Sequence, residues 1–117
     1  MGDGWETKRS REKGHVDWVI IRLAIPGQLS SAIVDTCHFK GNYPDTCLLE
    51  GCQSENDDEV VQGNVTWFQL MDKQKLEADE IHTFPCLQHH RITHIRFSIF
   101  PDGGVSRLRL MGKIAPP

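Results

Sequence analysis

Residues 92–111 read ITHIRFSIFPDGGVSRLRLM. Ile95, Phe97 and Ile99 alternate with polar residues before the PDGG break, and Leu108 and Leu110 alternate after it, the two-residue period of a half-buried strand. The break has turn chemistry: Pro101 presets one dihedral, Asp102 can bond the backbone ahead of it, and Gly103 and Gly104 admit positive φ. The stretch therefore predicts a hairpin with residues 101–104 as its loop. Simple pairing then places Ile99/Ser106, Phe97/Leu108 and Ile95/Leu110 on a core face. The other face carries Ser98/Arg107, Arg96/Arg109 and His94/Met111, which opposes two guanidinium groups.

Outward from this stretch the same rhythm repeats. Apolar residues come in short runs broken by Gly, Pro, Asn and Asp, and no stretch keeps the helical period over three turns. Strands are expected at 17–23, 29–35, 47–53, 66–71, 81–87, 92–100 and 105–111, with Pro26-Gly27 as the turn between the first two and 54–64 as an acidic loop. Residues 74–80 are polar and are expected to be a connection. Short strands at this spacing predict an all-β sandwich. The chain has 117 residues, enough for one domain with one core.

A net charge of −3 gives no general attraction to phosphate backbones or anionic membranes, so neither nucleic acid nor a membrane is an expected partner. No apolar run approaches the roughly 18 residues of a membrane span, and residues 1–14 are polar rather than signal-like, which predicts a soluble, cytoplasmic protein with a peroxisomal location also open. Cys37, Cys47, Cys52 and Cys86 are irregularly spaced and are expected as free thiols. A zinc set from Cys47, Cys52, Cys86 and His89 does not fit the paired spacing of known zinc sites, and Cys47 and Cys52 have opposite parity in one strand, so no metal ligand is assigned.

Three groups of residues have the chemistry of a site. Arg96, Arg107 and Arg109, with Arg22, would form a cationic strip whose forked donors suit a carboxylate; neutralisation by acids on a neighbouring strand, or solvation at the surface, is the competing account and the commoner one. Asp3-Gly4-Trp5-Glu6-Thr7 places a large aromatic between acids. There Glu6 is a candidate general base and Trp5 a candidate pocket wall, with docking of Trp5 and pairing of Glu6 to an arginine as the structural alternative. In Asp35-Thr36-Cys37-His38-Phe39, at a strand end, His38 is a candidate proton shuttle that Asp35 would orient, and Asp35 and Asn42 serve equally as loop caps. No GxSxG elbow, phosphate-binding glycine loop or HExxH helix is present, which removes the usual serine hydrolase, nucleotide-binding and metalloprotease readings.

Taken together, DGWET at 3–7, VDT at 34–36 followed by FKGNYPD at 39–45, and THIR at 93–96 followed by FPDGGVSRLR at 100–109 resemble the repeat of the allantoicase family from residue 2 to residue 112. The resemblance implies a jelly-roll β-sandwich of the galactose-binding-domain-like type, and hydrolysis of allantoate to ureidoglycolate and urea in purine degradation. On that basis Arg107 or Arg96 would hold the substrate carboxylate, Glu6 or His38 would transfer protons, and Asp35, Asn42 and Asp102 would orient ureido groups or water, with Trp5 as a wall. The family leaves room for a divalent cation such as manganese. Allantoicases carry two such repeats and this chain resembles the second, without the segment that ordinarily precedes DGWE. That implies a missing edge segment and a homo-oligomer or partner repeat to complete the site. Some vertebrate members are inactive, so the alternative reading is a non-catalytic β-sandwich that binds a small ligand or a protein.

Overall fold

The computed structural model describes Trp5 and Glu6 through their backbone and residues 16–87 and 90–114 in full. The elements run β1 (Trp5–Glu6), β2 (Asp17–Asp35), β3 (Thr46–Cys52), α1 (Asp57–Val61), β4 (Phe68–Gln69), β5 (Gln74–Lys75), β6 (Ile81–Pro85), β7 (Ile92–Phe100), β8 (Gly104–Val105) and β9 (Arg107–Ile114). Every ladder among them is antiparallel, so the all-β expectation holds.

The two strands expected at 17–23 and 29–35 are one strand of 19 residues. Pro26-Gly27 is not a turn. Gly27 has ladder partners on both sides, Ile92 of β7 and Ile114 of β9, and the register with β7 shifts between Arg22 and Gly27. An irregularity of this kind tolerates a proline that cannot donate. A Cβ at Gly27 would lie 2.8 Å from the Lys113 carbonyl oxygen, so glycine there admits β9 rather than reversing the chain.

This strand ties two leaves together. Its first half pairs β7, whose other edge pairs β3, and β3 in turn carries β4 and β5. Its second half lies between β6 and β9. One buried cluster joins Leu49 of β3 and Ile95, Phe97 and Ile99 of β7 to Ala32 and Val34 of β2 and Leu108 of β9. Burial of that apolar face from both leaves is what holds the sandwich closed.

The hairpin expected between 92–100 and 105–111 does not form. Both edges of β7 are taken, by β2 and β3, so β9 has no edge there and crosses to β2, setting Arg107 opposite Asp35 and Arg109 opposite Ile33. The opposed Arg96/Arg109 pair, and with it the four-arginine strip, is dissolved. Between the two strands, β8 pairs instead with β1, Trp5 opposite Val105 and Glu6 opposite Gly104.

Smaller differences have local causes. The acidic loop contains α1, which starts at Asn56, whose side chain accepts from the Asp58 N–H at 2.8 Å. Asp57, Asp58 and Glu59 fill its first turn and Val60 buries its one inward side chain, an acidic N-terminus that suits the helix dipole. Of the strand expected at 66–71 only Phe68–Gln69 pairs, and Gln74–Lys75 adds a short bridge to β3. All four cysteines are free, with Cys47, Cys52 and Cys86 buried. Burial pushes the Cys47 thiol up to about 12.

Candidate functional site

Two segments cross between the leaves at the same end of the sandwich: residues 36–45, from β2 to β3, and residues 101–106, from β7 towards β9. They are laced together by backbone bonds. Gly104 N–H donates to the Asn42 carbonyl at 2.8 Å, Asp45 N–H to Phe100 at 2.9 Å, and Ser106 N–H to Asp35 at 2.7 Å. The Ser106 hydroxyl donates to the Cys37 carbonyl.

Glycine is required twice here. Gly103 has φ +129°, and a Cβ there would lie 2.6 Å from the Tyr43 carbonyl carbon; one at Gly104 would lie 2.1 Å from the Phe39 ring. The crossings approach too closely for side chains, and φ +129° is a region that residues with a Cβ rarely adopt.

On this frame stand most of the expected site residues. Asp35, at the end of β2, accepts from the Cys37 N–H at 2.8 Å, a local cap that fixes the loop's departure. Burial pushes its carboxyl up, but hydrogen bonds from Cys37 and the nearby charges of Arg107 and Arg109 outweigh it and hold the group below the usual carboxylate range. Arg107 is exposed across the ladder from Asp35. His38 is exposed with φ +75°, Asn42 is half-buried, and Asp102 is buried. The backbone of Trp5 and Glu6 runs beside this end through its pairing with β8; their side chains lie outside the described residues.

Arg96 stands apart, on the outer face of the other leaf. Its guanidinium donates to both carboxylate oxygens of Glu50, at 3.0 and 3.1 Å, and lies 4.6 Å from the centre of the Trp67 ring. Glu50 is also its ladder neighbour on β3. The neutralised alternative is therefore the one found for Arg96, and a bidentate partner leaves its fork occupied.

Next to it lies a polar network that sequence reasoning did not find. Thr93 Oγ1 is 2.7 Å from His94 Nδ1, His94 Nε2 is 2.8 Å from Asp57 Oδ1, and Arg22 donates to Asp57 Oδ2 at 3.0 Å. The hydrogen bond with His94, aided by Arg22, holds the Asp57 carboxyl below its ordinary range. These groups, with Ser54, Glu55 and Arg91, line a cleft of about 120 Å³. The nearest signal was polar His94 at a strand position facing away from the core; its partner, 37 residues away, sits in a loop whose helix was not foreseen. Among the described residues no group of three or more His, Cys, Asp or Glu side chains gathers as for a metal ion, and His89 lies outside them. Among the described residues no helix is long and apolar enough to cross a membrane.

Residues 1–115 match the family model described as the allantoicase repeat. A probable allantoicase of Rhizobium meliloti is 47% identical over an alignment of 125 residues that covers 100% of this chain and 36% of the relative. One of Schizosaccharomyces pombe is 48% identical over 117 residues, covering 98% and 34%. The crystal structure of allantoicase from Saccharomyces cerevisiae superposes with a TM-score of 0.80 at 40% identity, over 94% of this chain and 31% of that one. The C-terminal domain of a Bacteroides fragilis chitobiase shares the fold, with a TM-score of 0.68 at 9% identity, over 89% of this chain and 68% of that one. The architecture is the galactose-binding-like β-sandwich that was expected. The chain spans about a third of the length of the allantoicases it matches. These relatives are bacterial and fungal and lend no support to the expectation of an inactive vertebrate member.

Proposed function

The chain belongs to the allantoicase family, and from that premise we propose that it is one repeat of an allantoate amidinohydrolase, working at the end of the sandwich where the two crossings meet. The observation that carries this reading is the convergence itself: of five residues singled out for their chemistry, His38, Asn42 and Asp102 stand on two segments bonded to each other, and Asp35 and Arg107 on the strand ends that flank them.

In the reaction a water oxygen bonds the central carbon of allantoate, the carbon–nitrogen bond to one ureido group breaks, and urea leaves with a proton on its nitrogen. Arg107 offers an exposed fork for the substrate carboxylate. Asp35, held ionised, accepts from ureido N–H groups, and Asn42 and Asp102 fix the orientation of the remaining amide and of water. Proton transfer falls to His38 and Glu6, one taking the proton of water and the other supplying the leaving nitrogen, with Trp5 as a wall of the site. A partner repeat or a second copy completes it.

The test is urea release from allantoate by the purified chain, with and without manganese, with its mass followed by light scattering. Release is expected, and Arg107→Ala and Glu6→Gln, melting as the wild type does, are expected to lose it by about 100-fold or more. Full release from either folded variant overturns the site. Stabilisation by allantoate without urea overturns hydrolysis in favour of a binding module.

A further inference from the structure

Among the described residues the only non-glycine residues with positive φ are His38, at +75°, and Asp79, at +52°. They are bonded to each other's segments. The Asp79 carboxylate accepts from the His38 N–H at 2.7 Å, and the Asp79 N–H donates to the Phe39 carbonyl at 3.1 Å. A left-handed backbone is uphill for a residue with a Cβ, and persists where the surroundings over-determine it. At His38 a turn closed by the Phe39 N–H bond to the Thr36 carbonyl at 2.9 Å sets the left-handed backbone, and a charged acceptor takes the His38 N–H that the turn points outward.

The segment that carries Asp79 is itself fastened to the end of β2. The Thr36 hydroxyl donates to the Glu77 carbonyl at 2.7 Å, the Thr36 N–H donates to Glu80 at 2.8 Å, and the Glu80 N–H donates to the Thr36 hydroxyl at 3.1 Å. His82 accepts from the Glu77 N–H at 2.9 Å while its other ring nitrogen lies 3.0 Å from the Val34 carbonyl. Residues 77–80 thus form a strap with one side chain, Asp79, reaching across to the backbone that aims the His38 imidazole.

We infer that Asp79 is the positioning residue for His38, an assignment that rests on the proton-transfer reading of His38 given above. Asp79 acts on the backbone N–H and takes no part in proton transfer. Without its acceptor, residue 38 relaxes to ordinary conformers and the ring loses its direction relative to the substrate. Phe39, whose ring lies against Gly104, transmits the same fixing to the second crossing.

Two substitutions separate placement from bulk stability. Asp79→Asn keeps an acceptor oxygen and tolerates the left-handed region, whereas Asp79→Gly removes the acceptor and relieves the backbone. Asp79→Gly is expected to lower kcat for urea release about tenfold, with KM within about twofold, and Asp79→Asn to stay within about twofold of wild type. On a His38→Gln background, Asp79→Gly is expected to cost nothing further. The His38 amide proton, followed by NMR hydrogen exchange, is expected to be protected in wild type and Asp79→Asn and to exchange freely in Asp79→Gly.

The inference is overturned if Asn falls as far as Gly, if the losses multiply on the His38→Gln background, or if kcat of Asp79→Gly equals that of wild type. A wild-type chain that releases no urea overturns the hydrolytic reading, while unchanged His38 amide exchange in Asp79→Gly overturns the Asp79 inference on its own.

Discussion

Alanine at Gly103 and alanine at Gly104 are expected to fail in different ways, and the difference tests how the two crossings are packed. At Gly104 the new Cβ falls 2.1 Å from Phe39 Cε1, 2.2 Å from Cδ1 and 2.5 Å from Cζ. Carbon atoms in contact need about 3.5 Å, so the ring or β8 must give by about 1 Å or more. Overpacking of this kind costs about 1–3 kcal/mol, which in a domain of this size lowers the melting temperature by roughly 4–12 °C. The obstruction is a side chain, so Phe39→Leu in the same protein is expected to restore at least about half of the loss. At Gly103 the new Cβ meets the Tyr43 carbonyl carbon at 2.6 Å and the Pro44 nitrogen at 2.7 Å, with φ at +129°. Backbone cannot step aside, and a strained conformation adds to the overpacking, for a total of about 2–6 kcal/mol. Phe39→Leu is expected to recover none of it. Thermal unfolding of the single and double variants by circular dichroism reads all of these values. A Gly104→Ala protein that melts within about 1 °C of wild type, a Gly104→Ala/Phe39→Leu protein whose losses simply add, or a Gly103→Ala protein milder than Gly104→Ala would refute the packing argument.

Three further outcomes are expected. Glu50→Ala strips the Arg96 guanidinium, whose side chain is 30% exposed, of two acceptors and is expected to cost about 2–3 kcal/mol in denaturant unfolding, with Glu50→Gln intermediate; an unchanged midpoint would contradict it. The folded protein holds the Asp57 carboxyl down through His94 and Arg22, and the Asp35 carboxyl down through Cys37, Arg107 and Arg109 against the opposing effect of burial. Their stabilisation is therefore complete above the ordinary carboxylate range and is lost as pH falls below that range through the depressed folded values. Asp57→Asn and Asp35→Asn together are expected to flatten the acid limb of the stability profile, and an equally steep limb would count against the assignment. Finally, the hydrogen bond to Asp35, with burial and the charges of Asp35 and Asp79, pushes the Cys37 thiol up, so Asp35→Asn is expected to speed alkylation of Cys37 by iodoacetamide at neutral pH. Mass spectrometry of the folded protein would show one fast adduct, the other three thiols being buried, and a slower or unchanged rate in the variant would reject the cause.

Where periodicity is strong, the fold was legible before any coordinates. Within 92–100, Ile95, Phe97 and Ile99 alternate with polar residues, and β7 spans the nine residues expected; 47–53 is displaced by a single residue from β3. What periodicity does not encode is partner choice. The turn chemistry of PDGG is real at the level of local conformation, yet which strand pairs with β7 depends on edges supplied by Asp17–Arg22 and by Thr46–Cys52, far away in the chain. Pro26-Gly27 misled for a related reason, because the same dipeptide serves a reversal or a bulge and the surrounding ladder decides between them. In the site, Asp35, His38 and Asn42 were recognisable as polar residues at a strand end. Asp79 was not, since its significance lies in a left-handed backbone and a bond to His38 across 41 residues. The Thr93–His94–Asp57 chain escaped because one member belongs to a helix of five residues, too short for any periodic signal.

The failed hairpin also explains why the chemistry gathers where it does. A true β7–β9 hairpin would have kept Arg96, Arg107 and Arg109 on one surface, repelling one another and open to solvent. By crossing instead, the chain delivers Arg96 to a bidentate pair with Glu50 on one leaf and sets Arg107 across the ladder from Asp35, and Arg109 across from Ile33, on the other. The crossing itself must pass close over residues 39–44, which demands glycine at 103 and 104, and the same close passage brings Asn42, Asp102 and the end of β1 within one small region. A strand-switching sandwich thus concentrates polar loop residues at the switch, supported by rigid ladders on both sides. FPDGGVSRLR at 100–109, one of the stretches that resemble the family repeat, is the piece of chain that makes the switch.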